Sequence, residues 1–405
     1  MPIPFLLFFV TLLGVAIFHH HTRRVALLGL LSVCLYTIGW GKFVGGTTGF
    51  SGFLQHCHHE WPTMVNLILL ISGFTILADH FEKSHIPQKL PAILANDWKG
   101  GIMLISLIFV LSSFLDNIAA ALIGGSIAYT VYRGKVHTSF LVAIVAAANA
   151  GGTGSVIGDT TTTLMWIAGT HPVKVLPAYV GALSALGILS VIAARVQHSY
   201  QPIMADPPAA VHLRWKKVFV TIAILAVAVA TNVTINQHFS ASAEKFPFLG
   251  VAVWIAILAF YPLARPNWEK AKEAVGNAIF LCALVLSASM MPVETLPNAS
   301  PITAFGLGLV SAMFDNIPLT TLALKQGGYN PAYLAYAVGF GGSITWFGSS
   351  AGVALAGFVH GHHHDGTVHK PFEKVKSLRL WLREGWHTPV AYVVGFAVLY
   401  LLVQW

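Results

Sequence analysis

The sequence predicts an all-α polytopic membrane protein made of two inverted-topology repeats. Three observations carry that prediction: a composition too apolar for water, apolar runs of spanning length, and two motif pairs recurring at nearly equal separations. Mean hydropathy is +0.70, 56% of residues are hydrophobic and 9% are charged, against roughly 25% charged in soluble domains. So few charges cannot cover a water-soluble globule of 405 residues. A soluble enzyme, a disulfide scaffold and a disordered chain are excluded. Cys34, Cys57 and Cys282 are too few and too scattered for a disulfide or zinc framework. The net charge of +8 falls in short loops, with no basic helix interleaved with aromatics, so nucleic acid is not an expected partner.

A spanning helix needs about 20 apolar residues. Single spans fit at 2–18, 24–40, 62–79, 172–196, 216–235, 246–263, 276–292 and 386–404. The first has no basic flank and no small-residue cleavage site, so it reads as a retained helix rather than a signal peptide. Segments 101–131 and 299–326 are each interrupted by an Asp-Asn pair, and segments 138–170 and 331–359 by Gly-rich polar runs. Irregular backbone at membrane depth survives only inside protein or beside a water-filled cavity. If each Asp-Asn segment is a re-entrant hairpin and each Gly-rich segment crosses once, 19 of the 23 Lys and Arg share one side. Lys42, Lys174, Lys245 and Lys325 hold the other. The rich side is then cytoplasmic and both termini face out. Full crossings at the Asp-Asn segments would scatter the cations over both sides.

FLDNI at Phe114 and MFDNI at Met313 are 199 residues apart, and GGTGSVIGDT at Gly151 and GGSITWFGSS at Gly341 are 190 apart. Each repeat then has five spanning segments, one of them broken, and one hairpin. Because five is odd, the second repeat lies upside down relative to the first, as in secondary transporters. The expected division is 1–197 for the first repeat, 198–215 for a cytoplasmic linker with Pro207-Pro208, and 216–405 for the second.

Asp116, Asp159 and Asp315 lie inside otherwise apolar segments. A carboxylate at the centre of a span costs about 2.5–3.5 kcal/mol on insertion scales, so three call for a compensating role. Hard oxygens suit a small hard cation. The candidate ligands are these carboxylates with Asn117, Asn149, Asn316, Thr160 and Thr161. Backbone carbonyls at the breaks marked by Gly151, Gly152, Gly158, Gly341, Gly342 and Gly348 join them, and Ser343, Ser349 and Ser350 are secondary. The competing structural reading is that each Asp-Asn pair only caps a hairpin helix, and that the four threonines Thr160, Thr161, Thr162 and Thr163 only bond to the preceding turn. Desolvation disfavours a buried charge, so protons compete with a metal ion for the same oxygens. That competition yields cation/proton exchange, with no cofactor required. The halves differ where Asp159 is matched by Ser349, which concentrates charge in the first. A His-rich stretch with His360, His362, His363 and His364 suits transition-metal binding or pH sensing, against the plainer reading of a solvated loop. Glu294 and Asp79 read as interfacial.

NAGGTGSVIGDTTTTLMWIAG (149–169), FDNIPL (314–319) and GFGGS…GSSAGVALAG (339–357) resemble signatures of NhaD-type sodium/proton antiporters, in the ArsB/NhaD branch of the ion-transporter superfamily. The similarity runs from Gly73 to Gly357. It implies opposed hairpins, a homodimer, an inner-membrane location in a bacterium, and exchange of Na⁺ or Li⁺ for H⁺. It also implies that Asp116, Asn117, Asn149, Asp159, Thr160, Asp315 and Asn316 lie near the ion path. One departure is that Ile118, Ala119, Ala120 and Ala121 follow the first Asp-Asn pair, where the family carries hydroxyls.

An organic-anion carrier of citrate or dicarboxylate type, or an arsenite carrier, shares that superfamily architecture. An anion site favours neutral hairpin tips and a nearby Arg or Lys, whereas both tips here carry Asp. An intramembrane aspartyl protease using Asp116 and Asp159 lacks the Gly-x-Gly-Asp arrangement and leaves the duplication unexplained. A metal-binding scaffold centred on the His clusters is the third class.

Overall fold

The computed structural model describes residues 2–18, 21–43, 46–89, 94–204, 212–238, 245–314, 316–357 and 372–404. Asp315, His360, His362, His363, His364 and Pro207-Pro208 lie outside them. Among the described residues every regular element is helical. The α-helices are α1 (Ile3–Ile17), α2 (Thr22–Trp40), α3 (Gly49–Glu82), α4 (Ile86–Lys89), α5 (Trp98–Ser112), α6 (Asn117–Val131), α7 (Thr138–Thr153), α8 (Thr160–Ile167) and α9 (Ala178–Tyr200). Then follow α10 (Trp215–His238), α11 (Phe248–Ala259), α12 (Trp268–Ser289), α13 (Pro301–Ser311), α14 (Asn316–Gln326), α15 (Pro331–Gly341), α16 (Ser350–Ala356), α17 (Leu378–Glu384) and α18 (His387–Leu402).

Four of these are long and apolar enough to cross a bilayer by length and composition: α2, the stretch Gly49–Phe81 of α3, α9 and α12. The α17–α18 pair, bent by 58°, makes a fifth. Apolar side chains point outward, as Leu28, Leu31 and Leu35 do along α2, so lipid is the solvent on that face. The chain is an integral membrane protein. The span expected at 62–79 belongs to a helix that begins at Gly49 and carries Pro62 in its interior. The polar run GFSGFLQHCHHEW hides that extension, because helical periodicity is not visible in a segment with His56 buried and His58 outside.

All four segments flagged as interrupted are pairs of short helices. The outer ends of several are closed by ordinary caps. Asp97 accepts the Lys99 N–H at 2.9 Å before α5, Ser300 and Thr303 form a capping box with Pro301 before α13, and Asn330 accepts the Ala332 N–H before α15. At the inner ends α5–α6 and α7–α8 break at 113–116 and 154–159. Every residue of α7 is buried, as are Ala332–Gly341 of α15. These two helices form the axis of the molecule, where interrupted backbone is shielded from lipid.

Contacts at the two repeat shifts correspond. Ser112 Oγ donates to the Ala148 carbonyl, and Ser311 Oγ donates to that of Val338 at 2.8 Å. A Cβ on Gly151 would sit 2.1 Å from the Phe109 carbonyl oxygen, and one on Gly341 would sit 2.1 Å from that of Gly308. No side chain fits between these helices, which is why α5 on α7 and α13 on α15 approach so closely. The other arms cross over: α6 packs on α16, and α14 packs on α8.

Candidate functional site

At the crossing of these broken helices the side chains singled out from sequence come together. Asp159 precedes the first turn of α8, Asn117 and Asn316 open α6 and α14, and Asn149 lies in the last turns of α7. The Asp159 carboxylate is 1% exposed. Its Oδ1 accepts from Asn117 Nδ2 at 3.2 Å and from the Thr160 hydroxyl at 3.4 Å, while Oδ2 accepts from Asn316 Nδ2 at 3.5 Å. Asn117 Nδ2 also donates to Asn149 Oδ1 at 3.1 Å, and Asn149 Nδ2 donates to Ser343 and Ser349, each at 2.9 Å. The network thus joins the inner ends of all four helix pairs around one carboxylate.

Capping does not account for Asp159, whose carboxylate at the start of α8 is held by Asn117, Thr160 and Asn316, whereas Ser349, at the equivalent place, caps α16 through the Gly352 N–H. The Asp116 carboxyl, at the N-cap position of α6, meets the Asn117 and Ile118 N–H groups. Both carboxylates lie on the wall of a cavity of about 1060 Å³. Asp116, Asn117, Asp159, Thr160, Asn316, Ser349 and Ser350 line its inner end. Ser126 and Thr130 of α6 lead outward to Thr22, Asp79, Lys270 and Glu273. Ile118 and Ala119, two of the residues that replace expected hydroxyls, are also on this wall.

Other candidates are placed differently. Thr161 is buried without a hydrogen-bond partner for its hydroxyl and does not line the cavity. Thr162 and Thr163 donate back to the turn, to Ser155 and Val156 carbonyls at 2.5 and 3.0 Å, and stitch the break together. The glycines do not line the cavity either. The Gly151 carbonyl accepts from Ser113 and Tyr179, and that of Gly152 from the Ser155 N–H, so both are satisfied inside the protein. These glycines permit close helix approach rather than supply open ligands.

Asp79, expected at an interface, is 1% exposed and lines the cavity mouth. Lys83 and Lys270 approach its oxygens at 2.7 and 3.0 Å, and Asn267 donates at 3.4 Å. The Lys83 pairing was readable as an i, i+4 contact. Lys270 and Asn267 come from nearly two hundred residues away, and nothing local announces them.

Residues 12–341 match the citrate transporter family. The chain is 27% identical over 337 residues to sodium/proton antiporter 1 of Arabidopsis thaliana, covering 73% of this chain and 54% of that protein. It is 28% identical over 315 residues to the Na⁺/H⁺ antiporter NhaD of Alkalimonas amylolytica, covering 63% and 62%. With the NhaD antiporter of Vibrio parahaemolyticus it shares 25% over 311 residues, 64% of this chain and 73% of that one. The chain therefore spans a little over half the length of the first two relatives it matches.

Proposed function

The chain belongs to the citrate transporter family of membrane carriers, and from that premise we propose that it exchanges Na⁺ or Li⁺ for H⁺ by competition at Asp159, with alternating access. The observation that carries the proposal is the grip on that carboxylate. Three neutral donors surround it, and none of the residues lining the inner end of the cavity is a Lys or Arg. Uncapped helix N-termini at the inner end would favour an anion. Here the protein's own Asp116 and Asp159 fill those places, which disfavours citrate or another organic anion in spite of the family's description. The names of the three relatives point the same way.

In this reading the ion-free carboxylate accepts the amide hydrogens seen in the structure. An incoming cation takes the carboxylate oxygens, with Asn117 and Asn316 turning their carbonyl oxygens inward and Asp116 and Thr160 adding further oxygens. A proton on Asp159 removes the charge that holds the cation, so the two cargoes exclude each other. Asp315 joins this set by its motif equivalence to Asp116. In the first half, the side-by-side packing of α5 and α6, against the slight contact of α7 with α8, supports a hairpin followed by a broken span; α13 and α14 touch as slightly as α7 and α8, so the second hairpin is proposed from its motif equivalence alone. The matching Ser112 and Ser311 contacts support the repeat; its inversion, and both termini outside, are proposed from the count of spans and the placement of Lys and Arg. The His-rich stretch and a homodimer stay proposals from sequence and resemblance.

Purified protein in liposomes with an internal pH dye tests the function. Na⁺ or Li⁺ added between pH 6.5 and 9 is expected to drive proton flux, and Asp159→Asn to abolish it at unchanged insertion. Silence toward both cations, with flux on adding citrate, would replace this reading by the anion carrier.

A further inference from the structure

The two halves are not equivalent at one pair of positions, and the structure shows how they compensate. The 190-residue shift pairs Asp159 with Ser349 and Asn149 with Gly339. In the first half-site the long side chain is Asp159 and the residue it faces, Gly339, has none; a Cβ built there would lie 3.5 Å from Asp159 Oδ2. In the second half-site the lengths are exchanged. Ser349 is short, and Asn149 reaches across to it at 2.9 Å. Each half-site therefore holds one long polar side chain opposite a residue with a short side chain or none. The long side chains are nearly isosteric and differ in charge: a carboxylate fills the first place, a neutral amide the second.

The amide also uses up the second place. Both Asn149 Nδ2 hydrogens are directed at hydroxyl oxygens, those of Ser343 and Ser349. Its carbonyl oxygen is turned away to Asn117. Ser349 Oγ accepts a second hydrogen bond from the Gly352 N–H at 3.3 Å, so both of its lone pairs are taken. While those bonds stand Ser349 Oγ offers a cation no free lone pair, and, unlike the Asp159 carboxylate, a neutral hydroxyl has no charge with which to draw a cation in place of the amide. The Asp-Asn pairs do not create this difference, since Asp116 and Asp315 are equivalent by the 199-residue shift.

We propose that each protomer carries one cation, at Asp159, and that Asn149 is the positioning residue that keeps the site single by filling the symmetry-related place with a neutral amide. This rests on the exchanger reading above and deepens it to a stoichiometry.

Equilibrium binding of ²²Na⁺ to the purified full-length chain at pH 9, counted per protomer, tests it, with proton flux measured in parallel. Wild type is expected to bind one Na⁺. Asn149→Gly leaves Ser349 without its partner and is expected to keep one Na⁺ with roughly tenfold weaker binding, the effect of losing a buried hydrogen-bonded support. Asn149→Gly with Ser349→Asn restores a neutral long–short pair and is expected to recover affinity at one Na⁺. Asn149→Gly with Ser349→Asp copies the first half-site and is expected to bind two. Two Na⁺ bound by wild type overturns the proposal while leaving the exchanger reading intact, and so does one Na⁺ bound by the monodisperse double variant that carries Ser349→Asp. No Na⁺ bound, with no Na⁺-driven flux, overturns both.

Discussion

Among the donors to the central carboxylate, two asparagine amides make hydrogen bonds of unequal quality, and their difference ranks them. Asn117 donates to Asp159 at 3.2 Å and also to Asn149, whereas Asn316 donates at 3.5 Å, the limit of useful geometry. Each amide fixes the position of the carboxylate and, in the proposed exchange, lends its carbonyl oxygen to the cation. Asn117→Ala is therefore expected to raise the Na⁺ concentration for half-maximal flux by about tenfold, the scale of one charged hydrogen bond at about 1.5–3 kcal/mol. Asn316→Ala is expected to raise it less. A dye-monitored Na⁺ titration of both variants checks the order, and equal or reversed shifts would contradict this account of the grip. These residues were legible because a charge or amide in an apolar run has no inexpensive explanation. Asp79, read as interfacial, sits in the last turn of α3 against the half-exposed Lys83 and Lys270; what a span end does not announce is the second of these partners, from α12.

Among the helices, what the sequence announces is interruption, and what it conceals is how interruption is accommodated. The Asp-Asn pairs and Gly-rich runs mark the breaks of α5–α6, α7–α8 and α15–α16, because such residues do not continue an apolar helix. The glycines suggest freed carbonyls, but the structure uses them for contact: the Phe109 and Gly308 carbonyl oxygens press where a Cβ would stand on Gly151 and Gly341. Gly151→Ala and Gly341→Ala are thus overpacking substitutions, each expected to cost about 1–3 kcal/mol or more and to lower the melting temperature in detergent by several degrees. Gly306 is on α13 two residues before Gly308, yet a Cβ there would meet nothing within 4 Å, so Gly306→Ala is expected to leave the melting temperature unchanged. Equal melting of all three would show that the hairpin arms do not bear on the broken helices as tightly as the backbone approach requires. The extension of α3 back to Gly49 was beyond reading, since its histidines are placed by contacts such as His56 to Ser289 at 2.9 Å rather than by any local period.

At the scale of the whole molecule the cavity opens toward one end. Its lining runs from Asp159 past Ser126 and Thr130 to Thr22, Asp79, Lys270 and Glu273, and these last residues neighbour Arg23, Lys83 and Lys272 on the cation-rich side of the proposed topology. At the other end α14 packs on α12, Lys325 Nζ donates to the Met291 carbonyl and Gln326 donates to that of Pro297, while Thr320 is fully buried. In the proposed exchanger such a site faces one compartment only, as alternating access requires of any single state. The proposed topology makes that compartment the cytoplasm. Cysteine accessibility tests state and orientation together, in a background where Cys34, Cys57 and Cys282 are replaced. Ser126→Cys and Thr130→Cys are expected to react with an impermeant maleimide in inside-out vesicles and to be protected in right-side-out ones, with Thr320→Cys slow from both faces. Saturating Na⁺ populates the transport cycle, so it is expected to slow labelling at Ser126→Cys by drawing protein into states closed on this side. Labelling of the α6 cysteines from the outside alone would invert the topology, and with it the assignment of both termini to the exterior.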